Sequence, residues 1–221
     1  MKLTAYLLLP ALLLTACDSE TPPPPPEASP AEQTSATADS RTDLAAIDSD
    51  EARIATARMA APEASRAGTR VIGYNAAGEL VTLAEGDNEF VCLADDPNKE
   101  GFSAACYHQS LEPFMARGRA LRAEGKTPPE IDAMREREVS DGSLKMGDTG
   151  STLHVLSGKE ARYDPATGEV PGATYRYVVY VPYATAASTG LPESPVAPNH
   201  PWIMDPGTHR AHIMISPLAG E

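Results

Sequence analysis

Cations, aromatic side chains and cysteine are all scarce in this chain, and no apolar run in it reaches the length of a membrane span. Its 18 Lys and Arg stand against 31 Asp and Glu, a formal net charge of -13. A protein this acidic is repelled by nucleic acid and by anionic lipid headgroups, which excludes nucleic acid as a partner. The longest apolar stretch covers residues 3–14, whereas a spanning helix needs about 20 apolar residues. Aromatics make up 5% of the chain, and apart from Tyr6 every Tyr, Phe and Trp lies at Tyr74 or later, so a packed core belongs to the later part. Cysteine occurs only at Cys17, Cys92 and Cys106, with no Cys-x-x-Cys spacing to support redox chemistry. The segment Ala105-Cys106-Tyr107-His108 ends like a haem-attachment motif but lacks its first cysteine. Gly-x-Ser-x-Gly, P-loop and dinucleotide-binding glycine patterns are missing too, so no cofactor is implied.

What is present at the amino end is an export signal. A single cation, Lys2, precedes the apolar run with its six leucines from Leu7 to Leu14, and Asp18 and Glu20 close it. That layout is a signal-peptide core of roughly 7–15 residues and not an anchor. The cut site reads Leu14-Thr15-Ala16-Cys17, which resembles the lipobox of bacterial lipoproteins. The resemblance implies cleavage after residue 16, a diacylglyceryl thioether on Cys17, and usually an acylated amino group. One acyl chain holds a protein only marginally, and two or more anchor it stably. Membrane contact is then through lipid. The alternative is an ordinary signal peptide with a chance cysteine near its cut. Asp18 resembles the inner-membrane retention signal of enterobacterial lipoproteins. Loss of residues 1–16 removes Lys2 and no acid, so 17 cations against 31 acids leave -14.

Residues 17–43 have the composition of a disordered linker, with Pro22 to Pro26 unbroken and Ser, Thr, Ala and Glu filling most of the rest. A proline run favours extended polyproline II, and nothing here is large and apolar enough to offset the entropy of ordering. About 25 such residues reach roughly 80 Å at full extension. Residues 44–68 form a connector in which Leu44, Ile47, Glu51, Ile54 and Arg58 stand at helical spacing, stopped by Ala61-Pro62. Its apolar face is thin, which predicts a loosely docked helix.

Residues 69–221 are the expected globular domain, long enough for one core. Strands are predicted at 69–74 and 79–84 around the turn Asn75-Ala76-Ala77-Gly78, then at 89–93, as a meander. Leu111, Phe114, Met115, Gly118 and Leu121 mark a helix closed by Gly125, and Thr127-Pro128-Pro129-Glu130 is a capping box opening a second helix that ends at Gly142. Further strands are predicted at 151–156, 173–181 and 210–216. In the last, Ala211, Ile213 and Ile215 are expected to face the core. The order strands, helices, strands predicts a single α+β domain on a mainly antiparallel sheet with two or three helices.

Few residues suggest chemistry. Cys92 and Cys106 are an even pair, which in an oxidising envelope compartment points to a disulfide. The competing reading is a reactive thiol with His108 as base. Asp205, His209 and His212 converge on a metal, with His200 reaching over, only if Asp205-Pro206-Gly207-Thr208 is a turn that carries His209; on a regular strand the two histidines leave opposite faces. Otherwise Asp205 caps the turn and His212 is a hydrogen-bonded sheet residue. Asp95-Asp96 reads as solvated loop charge. Tyr163, Tyr175, Tyr177, Tyr180 and Tyr183 either line a groove or pack under a helix. The stretch from Pro201 to Met214 resembles the carboxyl end of uncharacterised secreted bacterial proteins, weakly back to Phe90-Val91-Cys92, and brings no known activity. The sequence therefore favours a lipid-anchored, non-enzymatic envelope module for a small-molecule or protein partner. The alternative is a metal-binding protein or hydrolase centred on Asp205, His209 and His212.

Overall fold

The computed structural model describes residues 43–75 and 77–216. The expected signal peptide, Cys17 and most of the linker lie outside these residues, as do Ala76 and residues 217–221. The elements run β1 (Ala45–Ala46), α1 (Asp50–Arg58), β2 (Arg70–Tyr74), β3 (Leu80–Ala84), β4 (Phe90–Leu93), β5 (Phe102–His108), α2 (Glu112–Ala123), α3 (Pro128–Ser140), β6 (Thr152–Gly158), β7 (Arg162–Tyr163), β8 (Thr174–Tyr180), α4 (Ala186–Thr189), β9 (Trp202–Met204) and β10 (His212–Ile215). Eight strands form one sheet in the order β3-β2-β4-β5-β6-β8-β10-β9, and β1 pairs separately with β7. Every pair in the large sheet is antiparallel except β2 with β4. The expected α+β domain on a mainly antiparallel sheet is what the chain forms.

Strict alternation of side chains splits the core in two. One face of the sheet carries Val71, Phe90, Cys92, Ala104, Cys106 and Leu156 and packs against Ala57, Ala60 and Ala61 at the end of α1. The other carries Ile72, Val91, Tyr107, Val178, Tyr180 and Met214 under Leu111 and Phe114 of the α2 segment. The capping box predicted for α3 is made: Glu130 Oε2 accepts from the Thr127 amide at 2.8 Å and its hydroxyl at 2.7 Å. A bidentate pair, with Arg117 Nη2 2.7 Å and Nε 2.9 Å from the Glu138 carboxylate, ties α2 to α3.

Four expectations need correction. The meander does not form, because β4 leaves β3 and runs parallel to the far side of β2. The connection folds back over the start of β2, where the amides of Asp87 and Asn88 both donate to the Gly68 carbonyl, at 3.0 and 3.2 Å. Gly86 makes this possible, since a Cβ there would stand 2.1 Å from the Arg70 nitrogen. Helix α1 is firmly docked: Ala52, Thr56 and Ala57 are buried, and the small side chains that make its apolar face thin let it approach β5 closely. In β10 it is His212 and Met214 that are buried, while Ile213 and Ile215 are only half-buried on the opposite face. Finally, Asp95 is buried and accepts from the Ser103 amide at 2.8 Å, and burial raises its carboxyl above the ordinary range.

Candidate functional site

The turn after β9 forms as expected, with the Thr208 hydroxyl donating to the Asp205 carbonyl at 2.8 Å and Asp205 in the left-handed region at φ 53. It does not assemble the metal set of the alternative reading. The Asp205 carboxylate pairs with Arg210 Nε at 3.0 Å, and Arg210 Nη1 reaches Asp132 of α3 at 2.9 Å. The turn therefore docks onto the helical layer through a guanidinium hub. His212 Nδ1 lies 2.8 Å from the Arg210 carbonyl, which can only accept, so that nitrogen carries a proton; the ring rests 5.5 Å from that of Tyr180. His200 is exposed, with Nδ1 2.9 Å from the Pro201 carbonyl. His209 is only 3% exposed, its ring edge-on to Phe114 at 5.8 Å, and neither ring nitrogen meets a partner among the described residues. Burial holds its imidazole below the ordinary pKa, which favours the neutral form. No group of three or more His, Cys, Asp or Glu among the described residues is placed to hold a metal ion.

The cysteine question resolves the other way. Cys92 of β4 and Cys106 of β5 are directly opposed, their Cα atoms are 4.0 Å apart and their sulfurs are bonded. Cys106 Sγ sits 3.2 Å from the Ala57 carbonyl, a contact and not a hydrogen bond, since a disulfide sulfur carries no proton. His108 is not its base: Nδ1 accepts from the Ser110 amide at 3.3 Å and stands 2.8 Å from the Ser110 hydroxyl, capping the short turn into α2. The five tyrosines do not share one groove. Tyr180 packs under α2 against Phe114, Tyr175 donates to the Met59 carbonyl at 2.8 Å, and Tyr183 is 54% exposed.

The concave surface at this end of the sheet is elsewhere. Strands β8, β10 and β9 place Arg176, Met214, Trp202 and Met204 along a cleft of about 560 Å³, walled by the loop that carries Val196 and His200. Trp202 and Met214 are directly opposed across β9 and β10. Val196 is 63% exposed and Met204 38%. Beyond the alternating strand pattern no sequence signal marked this cleft, because the loop that walls it is Pro- and Ser-rich and carries no motif. Methionine and tryptophan suit a surface that adapts to an apolar ligand, and Arg176 adds a cation for an anionic group.

A scan against protein-family models finds no match, and no curated protein or solved structure matches the chain either.

Proposed function

We propose that the chain is a lipid-anchored cell-envelope protein whose exported domain binds a small-molecule or protein partner without transforming it. The observation that carries this reading is Leu14-Thr15-Ala16-Cys17, an aliphatic and two small residues before cysteine, set between an apolar run and a proline-rich tract. The Cys92–Cys106 bond supports it, since structural disulfides persist in oxidising compartments. No helix among the described residues is long and apolar enough to cross a membrane, and the acidic surface is unsuited to anionic headgroups. Attachment then falls to the acyl chains on Cys17.

The binding half of the reading draws support from the Trp202 cleft, where apolar side chains and a guanidinium suit an amphiphile with an anionic end. Substitution of Cys17 by Ser abolishes fatty-acid labelling and leaves unprocessed or soluble protein; labelling that survives would overturn the anchoring. Trp202 is the chain's single tryptophan, so its emission reads the cleft directly. Anilinonaphthalene sulfonate, an aromatic anion, quenches Trp202 saturably, and Arg176→Ala weakens that quenching. Quenching that stays linear in probe concentration removes the cleft as a binding site.

A further inference from the structure

A second concavity, under α2, has a different character. It measures about 200 Å³, and its lining includes Arg119, Arg122 and Arg135 together with Leu93, Met115 and Leu153. Three guanidinium groups around one small hollow is a strong local bias in a chain of net charge -13.

Neighbouring carboxylates do not neutralise it. Glu112 is shared, accepting from Arg119 at 2.8 Å and from Arg70 at 3.1 Å. Asp132 is shared in the same way between Arg135 at 3.1 Å and Arg210 at 2.9 Å. Arg122 makes no ion pair among the described residues. Counting Asp205, which Arg210 also engages, three carboxylates thus serve four guanidinium groups, and a fifth has none among the described residues.

Two of the three lining cations are held in place. Arg119 donates to the Tyr107 hydroxyl at 2.8 Å as well as to Glu112, and Tyr107 in turn donates to Glu112. The Arg135 guanidinium lies over the Phe114 ring, 4.0 Å from its centroid, with its side chain 13% exposed. Gly118 of α2 makes the room, since a Cβ there would stand 3.0 Å from Arg135 Nη1. Arg135 Nε is buried and meets no acceptor among the described residues. A buried donor without an acceptor is costly, and a bound carboxylate would supply one in the bidentate geometry guanidinium favours.

We infer that this cavity binds a small organic carboxylate, its charge on Arg119, Arg122 and Arg135 and its short apolar body against Leu93, Met115 and Leu153. The volume is that of about seven waters at about 30 Å³ each, which limits the ligand to a handful of non-hydrogen atoms. The inference is independent of the Trp202 cleft and of the anchor.

Calorimetric titration of the full protein tests it with three probes. Butyrate carries both charge and apolar body, butanol the body alone, and inorganic phosphate the charge alone. Butyrate gives saturable heat in about the millimolar range or tighter, and the other two bind at least about tenfold more weakly. Substitution Arg122→Ala removes an exposed cation with no pair to break and weakens butyrate about threefold or more. Gly118→Ala keeps all three charges but makes the Arg135 tip give by a few tenths of an ångström, and weakens it about twofold or more. If that variant does not fold, the Arg122→Ala result decides. Phosphate binding as well as butyrate, absence of saturable heat, or unchanged affinity in Arg122→Ala would each overturn the assignment.

Discussion

Substituting His209 by leucine should stabilise this protein and flatten its response to mild acid. The side chain is 3% exposed, and both ring nitrogens are buried without a partner among the described residues. A buried polar group left unsatisfied costs about 1–3 kcal/mol. Leucine, of similar size, keeps the contact with Phe114 and removes both polar atoms, so the expected gain near neutral pH is about 1 kcal/mol or more after imperfect fit is allowed for. The acid response follows from the same burial. The folded imidazole titrates below its ordinary 6.5, so the unfolded chain takes up the proton first as pH falls. The contribution of neutral His209 is complete above pH 6.5 and is lost as pH falls from there through the folded value, at up to about 1.4 kcal/mol per pH unit. His154, also depressed by burial, adds a second loss of the same sign. Urea unfolding read from Trp202 between pH 7.5 and 5 measures both effects. The variant should start more stable and lose less, keeping the His154 component and the responses of the other groups. If His209→Leu is destabilised at pH 7.5 and retains the full acid slope, His209 has partners and the reasoning fails.

Two further outcomes test the fold. Reduction of the Cys92–Cys106 bond, whose residues are 14 apart in sequence, should cost about 3 kcal/mol and lower Tm by about 6–12 °C; mass spectrometry that finds both thiols free in envelope-derived protein would refute the bond. Gly86→Ala should destabilise at or beyond the top of the usual range of about 1–3 kcal/mol, because the new methyl meets backbone. Gly125→Ala, with nothing within 4 Å of the new atom, should cost only the strain of its φ of 79. Equal losses at the two positions, measured by chemical unfolding, would mean that the Gly86 crossing is not as close as described.

Where an element's identity depends on its own residues, the sequence was enough. The Thr127 capping box and the alternation in β8 and β10 are local patterns, and each carries its physical reason within a few residues. Strand β5 escapes such reading because Phe102, Ala104 and Cys106 are a weak apolar row, buried only because the small side chains of α1 lie over them. Pairing also lies beyond local pattern: β4 joins β2 instead of β3 because the Gly86 loop crosses the chain at Arg70, a contact between residues 16 apart. In β10 both faces are apolar enough to be buried, and only the position of α2 beneath the sheet selects His212 and Met214 over Ile213 and Ile215. The candidate sites follow the same division. Cys92 and Cys106 were legible as an even pair. The fate of Asp205, His209 and His212 was decided by partners distant in sequence: Asp132 competes through Arg210, and Phe114 covers His209. The arginine cavity is tertiary altogether, since Arg119, Arg122 and Arg135 read in sequence as ordinary charges on two amphipathic helices and become a cluster only when α2 and α3 close over the sheet.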